Sequence, residues 1–180
     1  MAEDLELLTA WRDGDEAAGN DLVGRYFAQV YGFFRNKVDA TDVDDLTQRT
    51  FLNCTESIEA FRAEASFRTY LFVIARNELY QYFRRRKGAR PSVDFLEVSV
   101  AALGTTPSEF AVRQREHQLL LEALRQIPLD QQVALELYFW EGLRGPELAS
   151  VLQVPEGTVR TWLRRGRLAL ADRIEALRAA

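Results

Sequence analysis

Residues 144–170, RGPELASVLQVPEGTVRTWLRRGRLAL, predict two helices separated by a short turn. The first helix has an apolar stripe at i, i+3 and i+4, formed by Leu148, Val151 and Leu152. The next two residues interrupt this pattern, and Pro155 restarts a helix because its ring fixes φ near the helical value. The stretch therefore predicts a helix-turn-helix hairpin, with helices over 145–152 and 156–177.

The second helix of the hairpin has two chemically different faces. Its apolar side consists of Val159, Leu163, Gly166 and Leu170, with Trp162 at the edge. The opposite side consists of Arg160, Thr161, Arg164 and Arg165. Guanidinium groups match the O6 and N7 atoms of guanine, so this face suits reading of the DNA major groove. The alternative is a solvated basic face on an ordinary helical hairpin.

Charge is unevenly distributed along the 180 residues, although the formal net charge is only −4. Residues 1–61 have 13 acidic and 5 basic side chains, whereas residues 62–90 have 8 basic and 2 acidic ones. The span 156–170 has a net charge of +3. Such segregation predicts an anionic polymer as partner of the basic parts. The acidic part suits a basic protein surface, or serves solubility alone.

The remaining composition excludes several classes of protein. No stretch approaches the roughly 20 apolar residues of a membrane span, so membrane insertion is not expected. The acidic N-terminus, MAEDLELL, lacks the basic start of a signal peptide. The single cysteine, Cys54, excludes an internal disulfide, which favours a cytoplasmic location. We interpret Cys54 as a small buried hydrophobe rather than a redox sensor.

The chain is predicted to be all-α, because no segment alternates with period two for long enough to form a strand. Asp15 and Asp42 are predicted N-caps. The other helices are predicted over 3–12, 15–37, 42–60, 67–87, 109–126 and 130–141. The sequence GARPSVDFLEVSVAALGTTPS, which is rich in Pro, Gly, Ser and Thr, predicts a flexible linker, although VDFLEVSV could also be a short strand or a docked segment. The predicted organisation is an N-terminal helical domain (1–88), a linker (89–112) and a C-terminal domain (113–180).

A second helix with functional potential is FRTYLFVIARNELYQYFRRRK, residues 67–87. Phe67, Leu71, Ile74 and Leu79 are its predicted core stripe. The other aromatics, Tyr70, Phe72, Tyr80, Tyr82 and Phe83, alternate with basic residues. This mixture suits single-stranded nucleic acid, because bases stack on rings while phosphates pair with arginines. The alternative is that most of the rings are core and the basic run is a solvated helix terminus.

Three stretches together resemble a known family. DVDDLTQRTFLNCTESIEAFRAEASFRTYLFVIARNELYQYFRRRK resembles the second conserved region of group IV (extracytoplasmic-function, ECF) sigma factors of bacterial RNA polymerase. Residues 119–177, in which IPLDQQVALELYFWEGL precedes the helix-turn-helix, resemble that family's fourth region. The opening LLTAWRDGDEAAGNDLVGRYF is similar too. The resemblance implies two helical domains, a region 2 bundle and a region 4 helix-turn-helix, that direct core polymerase to promoters.

The resemblance also implies a role for particular positions. The polymerase-binding residues, which would dock on the β′ clamp helices, are Asp45, Leu46, Gln48, Phe51 and Leu52. In the −10 region, Phe61 and Asn77 match a pocket for a flipped base, Arg62 and Ser66 lie in the reading loop, and the phosphate-binding positions are Arg76, Arg84, Arg85 and Arg86. In the −35 region the reading positions are Arg160, Thr161, Arg164 and Arg165, with Thr158 and Arg167 on phosphates. Further implied partners are the β subunit and an anti-sigma factor.

Two other classes of protein are weighed against this interpretation. A stand-alone helix-turn-helix regulator would use the same C-terminal hairpin, but it would normally carry a receiver or dimerisation domain in place of residues 42–87. An enzyme would need a metal or catalytic cluster, for example Asp42, Asp44 and Asp45 with His117 as base. Asp42 and Asp44 point to different faces of a helix, so these residues do not form an octahedral site. We therefore expect no catalytic residue, no metal and no cofactor.

Overall fold

The computed structural model describes residues 2–62, 64–86 and 107–179. Within these ranges the chain consists of helices, without a strand, which confirms the all-α prediction. The helices are α1 (Ala2–Arg12), α2 (Glu16–Arg35), α3 (Ala40–Ser57), a 3₁₀-helix (Ile58–Ala60), α4 (Phe67–Arg85), α5 (Pro107–Arg125), α6 (Leu129–Phe139), α7 (Gly145–Leu152) and α8 (Glu156–Ala179). No helix among the described residues is both long and apolar enough to span a bilayer.

The structure agrees with one predicted cap and corrects the other. The side chain of Asp15 accepts hydrogen bonds from the backbone N–H groups of Ala17 and Ala18, at 2.9 and 3.2 Å, so it caps α2. Asp42 is not a cap, because α3 begins two residues earlier, after Asp39 in an extended conformation. The carboxylate of Asp42 instead accepts a hydrogen bond from the hydroxyl of Tyr82 at 2.7 Å. Asp42 therefore ties α3 to α4.

Most of the predicted linker, including the segment VDFLEVSV, lies outside the described residues. Helix α5 begins at Pro107, so the last six positions of the predicted linker are helical. Proline is well tolerated at a helix start, because its missing N–H has no intrahelical partner there.

Within each half of the chain, the helices pack closely on one another. In the N-terminal half, helices α1 to α4 bury Leu22, Phe34, Leu71, Phe72 and Leu79 completely. In the C-terminal half, α8 crosses α6 closely at Gly166, where an added Cβ would lie 3.1 Å from side-chain atoms of Gln131 and Leu135. A glycine on the apolar side of α8 therefore permits the close approach of the two helices.

One hydrophobic core contains side chains from both halves. Val133, Ala134, Leu137 and Leu148 of the C-terminal half belong to the same cluster of buried side chains as Phe33, Phe34 and Leu71 of the N-terminal half. Helix α7 packs directly against α4. The described helices thus adopt a closed arrangement, which the sequence did not predict.

Candidate nucleic-acid interface

Helix α8 presents the two faces that its sequence predicts. Val159 and Gly166 are buried, whereas the arginines at 160, 164, 165 and 167 and Thr161 are exposed, and Thr158 is half-buried. Helix α7 is followed by Gln153 in the left-handed conformation (φ 56°), and this turn orients the start of α8. Among the described residues no carboxylate lies within ion-pair distance of the four guanidinium groups. These cations are free to bind an anionic polymer.

An apolar groove of about 450 Å³ runs along the basic face of α8. Its floor includes Leu148 and Val159, and its rim includes Phe139, Arg160 and Arg164. Phe139 is 57% exposed, which is a large fraction for an aromatic side chain. Phe139 was not predicted from the sequence, because it ends the mainly apolar run LELYF and resembles a core position there.

The aromatic side chains of α4 divide into two groups. Phe72 is completely buried, so the interpretation as core is correct for this ring and it cannot stack on a base. Tyr80 and Tyr82 use their hydroxyls to donate hydrogen bonds to the carboxylates of Asp130 and Asp42. Burial and the neighbouring carboxylate raise the pKa of both phenols above the ordinary value, so they remain neutral. In this arrangement the tyrosines act mainly as ties to α6 and α3.

Phe61 lies in the segment that connects α3 to α4. Its side chain is buried, with its ring centroid 4.7 Å from that of Tyr70. The Tyr70 hydroxyl is 2.6 Å from the hydroxyl of Ser57. At the other end, the Ser66 hydroxyl accepts a hydrogen bond from the backbone N–H of Thr69 at 3.1 Å and caps α4. The loop is therefore held at both ends, and the side chain of Arg62 between them is exposed.

Asn77 lies two helical turns beyond Tyr70 and shares its face of α4. Its side-chain oxygen accepts a hydrogen bond from Arg76 at 3.1 Å. Arg76 also donates to the side chain of Gln153 in the C-terminal half at 2.9 Å, and its guanidinium stacks over the ring of Tyr80. Both residues are thus half-buried beside the turn that precedes α8.

The basic end of α4 is only partly available. Arg84 and Arg85 are exposed. Arg86 forms ion pairs with Asp39 at 3.1 Å and with Asp42 at 3.3 Å. These exposed pairs contribute little stability, so a phosphate could displace them.

A buried ion pair joins the two halves of the chain. The ammonium of Lys37 pairs with the carboxylate of Glu136, and the exposed fractions of the two side chains are 0% and 2%. Glu136 also accepts hydrogen bonds from the side-chain amides of Asn36 and Gln132, at 3.1 and 2.9 Å. Burial lowers the pKa of Lys37, and the carboxylate of Glu136 opposes this effect. The partners are 99 residues apart in sequence, and neither was predicted from the sequence.

The predicted polymerase-binding residues of α3 separate into a surface and its support. Asp45, Gln48 and Leu52 are exposed, and they recur along one side of the helix. Leu46 and Phe51 are only 2% and 9% exposed, because they face the core. They support this surface and do not belong to it in the closed arrangement. Phe27 of α2, which is 47% exposed and stacks on Phe51, extends the surface and was missed.

The residues considered for metal binding, catalysis or redox chemistry do not form such a site among the described residues. Among the described residues, no group of three or more His, Cys, Asp or Glu side chains is arranged to hold a metal ion. His117 is exposed on α5. Cys54 is buried, and burial raises the pKa of its thiol to about 12, so the thiol stays protonated and unreactive at neutral pH. The interpretation of Cys54 as a small buried hydrophobe agrees with this.

Comparison with known proteins matches the same two parts of the chain. Residues 22–89 match the model of sigma-70 region 2, and residues 117–170 match that of sigma-70 region 4. The ECF RNA polymerase sigma-E factor of Haemophilus influenzae is 30% identical over 98% of this chain and 100% of its own length. The sigma-E factor of Escherichia coli K12 is 28% identical over 97% of this chain and 95% of its own. The chain belongs to the ECF sigma factors of the sigma-70 family.

As an ECF sigma factor, the chain binds core RNA polymerase and directs it to promoters for transcription initiation. The match to region 2 as well as region 4 disfavours a stand-alone regulator, which has no need of region 2.

Two solved structures share the fold. One is CnrH in complex with the cytosolic domain of CnrY, with a TM-score of 0.74 and 23% identity over 97% of this chain and 98% of that one. The other is the sigma factor RpoE in complex with the anti-sigma factor NepR from Bartonella quintana, with a TM-score of 0.70 and 19% identity over 87% and 96% of the two chains.

Proposed function

We propose that the C-terminal domain (113–180) reads the −35 element as duplex DNA through the exposed face of α8. The observation that carries this proposal is the row of unpaired, exposed guanidinium groups on a helix whose other face is buried. Arg160, Thr161, Arg164 and Arg165 contact base edges. Thr158 and Arg167 bind phosphates, which set the register without reading sequence.

The N-terminal domain (1–88) binds the −10 element as melted DNA. Phe61 and Asn77 form the sides of a pocket for one flipped base, with Arg62 and Ser66 at its loop. The ring of Phe61, 9% exposed in the closed form, is uncovered when the base enters. Capture of an unstacked base costs a few kcal/mol, which ring stacking and amide hydrogen bonds offset. Arg76, Arg84, Arg85 and Arg86 hold the backbone of the strand. Residues 89–112 connect the two domains.

The exposed part of α3, with Asp45, Gln48 and Leu52, docks on the β′ clamp helices, supported from beneath by Leu46 and Phe51. An acidic surface with an apolar centre suits a partner that carries basic and apolar side chains. The neighbouring exposed Phe27 enlarges the apolar centre. The factor contributes promoter specificity without catalytic residues of its own, and it acts in the cytoplasm, where the polymerase works.

The closed arrangement is the resting form of the factor. The −10 and −35 elements are about 25 base pairs apart by their numbering, which is more than two helical turns of ~34–36 Å each. In the closed form the middle of α4 contacts the turn before α8, since Arg76 bonds to Gln153 at 2.9 Å. The domains must therefore separate before both elements are read. An anti-sigma factor, the kind of partner bound to the Bartonella quintana relative, would act by holding the closed form.

Substitution of Arg164 by alanine tests the assigned −35 face. We expect discrimination between the cognate and an altered −35 element to fall by about 1–3 kcal/mol, because a bidentate contact to a base is lost. Association with core polymerase should be unchanged. Competition binding of the reconstituted holoenzyme to the two duplexes measures the effect, and Arg165→Ala is expected to behave alike.

Arg173→Ala is the matched control, because Arg173 is also exposed on α8 but lies beyond the proposed reading face. It should discriminate like the wild type. If Arg164→Ala instead lost polymerase binding, or kept the wild-type discrimination, the assignment of this face would be wrong.

A further inference from the structure

The last residue of α1, Arg12, reaches the segment that carries Phe61. Its guanidinium Nε and Nη2 donate hydrogen bonds to the carbonyl oxygen of Ile58, at 3.1 and 2.6 Å. The same Nη2 also donates to the carbonyl oxygen of Phe61. The guanidinium carbon lies 5.9 Å from the centre of the Phe61 ring. One side chain from α1 thus holds the backbone on both sides of the 3₁₀-helix.

These contacts satisfy carbonyl groups that local hydrogen bonds satisfy only in part. The carbonyls at the end of a helix have no intrahelical donor, and Phe61 lies just past the end of the 3₁₀-helix that Ile58 begins. Ile58 receives one local bond, from the backbone N–H of Phe61 at 3.2 Å. Arg12, which is 46 and 49 residues away in sequence, donates the further hydrogen bonds to the carbonyls of Ile58 and Phe61. It therefore holds the 3₁₀-helix that follows α3 and the backbone at Phe61.

Helix α1 is itself firmly attached, so that Arg12 has a rigid base. Leu8 is 1% exposed in the core. Asp4 accepts hydrogen bonds from Arg25 and from the hydroxyl of Tyr26, both at 2.6 Å. The indole of Trp11 lies against Gly19 of α2, where an added Cβ would come within 2.6 Å of it. A guanidinium at the end of such a helix is held in one orientation.

We infer that Arg12 is a positioning residue for −10 recognition, which holds Phe61 and the entrance of the reading loop in the shape that accepts a flipped base. This inference rests on the proposed role of Phe61. Arg12 does not touch DNA in this account. It acts through the two carbonyls, and its effect is confined to the base position that Phe61 contacts.

The chemistry of arginine suits this task in a way that lysine does not. A planar guanidinium directs several N–H groups in a fixed fork, so that it bridges two acceptors at once. A lysine ammonium keeps the charge but is a flexible point donor. Arg12→Lys therefore separates the positioning effect from a general electrostatic effect, and Arg12→Ala removes both.

The test uses the holoenzyme made from full-length chain and core polymerase, with a promoter selected by the wild-type holoenzyme. Binding is measured to single-stranded −10 oligonucleotides that carry one altered base each. For Arg12→Ala and Arg12→Lys we expect discrimination at the flipped position to fall on the order of tenfold, the factor that loss of one hydrogen bond from a charged donor gives. Discrimination at the other positions and at the −35 duplex should be unchanged.

Arg25→Ala is the matched control, because it also removes a contact that attaches α1, but one to Asp4 and not to the loop. It should keep the wild-type profile. Equal loss at every position, reduced polymerase association, or the same effect in Arg25→Ala would overturn the positioning role and leave only a structural one. Wild-type discrimination in both Arg12 variants would overturn it too. A wild-type chain that selects no promoter would instead refute the proposed function, and the inference would fall with it.

Discussion

Substitution of Glu136 by alanine is expected to open the closed arrangement of the two domains. The change leaves the ammonium of Lys37 buried and without its carboxylate, in a site where its side chain is 0% exposed. Breaking a buried ion pair in this way typically costs about 3–5 kcal/mol. Separation of the domains relieves this cost, because it returns the ammonium of Lys37 to water.

Energy transfer between two dyes measures this opening. Exposed positions Glu56 on α3 and Asp172 on α8 accept labelled cysteines, and the buried, unreactive Cys54 stays in place. Glu136→Ala should lower the transfer efficiency, and it should also strengthen binding to a single-stranded −10 oligonucleotide in the absence of polymerase. The second effect is expected because Arg68, which donates to the carbonyl of Glu141 in the closed form, and Arg76 become free.

Two further variants distinguish opening from general damage. The double substitution Lys37→Met with Glu136→Gln removes both charges at similar volume and keeps a side-chain oxygen that accepts from Asn36 and Gln132, so it should restore the closed form. Arg178→Ala breaks an exposed ion pair with Glu116 inside the C-terminal domain and should change nothing. If Glu136→Ala kept the wild-type energy-transfer efficiency and the wild-type thermal transition, the Lys37–Glu136 ion pair would not hold the domains together.

Reversal of charge at Asp45 is the second change with a large expected effect. Asp45→Arg places a cation at the centre of the acidic surface of α3, where a basic partner would approach, and like charges across an interface cost several kcal/mol. We expect co-elution with core polymerase on size exclusion to be lost. Among the described residues Asp45 pairs with Arg49 alone, in an exposed i, i+4 pair, so the thermal transition should move little.

Glu59→Arg is the control for Asp45→Arg, since it makes the same charge change at an exposed position beyond the end of α3. It should still co-elute. If both variants bound core polymerase like the wild type, the docking surface would lie elsewhere on the N-terminal domain.

Local patterns in the sequence were sufficient to predict the helices and the face of α8. Apolar residues at i, i+3 and i+4 predicted α7, and Asp15 before a helix predicted a cap that the structure contains. The exposed arginines of α8 followed from the same periodicity, because the side opposite an apolar stripe faces solvent.

Contacts between distant segments could not be predicted in this way. Lys37 would ordinarily be expected on the surface, and only the fold brings Glu136 to it. Arg12 would likewise be taken for a solvated helix terminus, yet it bonds to Phe61 across 49 residues. The start of α3 was placed too late, because Asp42 has the chemistry of a cap but is used by Tyr82. Each of these contacts depends on tertiary packing, which the spacing of apolar residues in the sequence does not reveal.

Reconstituted transcription tests the central claim most directly. Core polymerase that lacks its own sigma factor is mixed with the purified chain and a library of genomic promoter fragments, and the 5′ ends of the transcripts are sequenced. We expect discrete start sites that are absent with core alone, preceded by a common pair of upstream elements. Transcripts no different from those of core polymerase alone, from a folded chain and a cognate core, would contradict the assignment as a promoter-directing sigma factor.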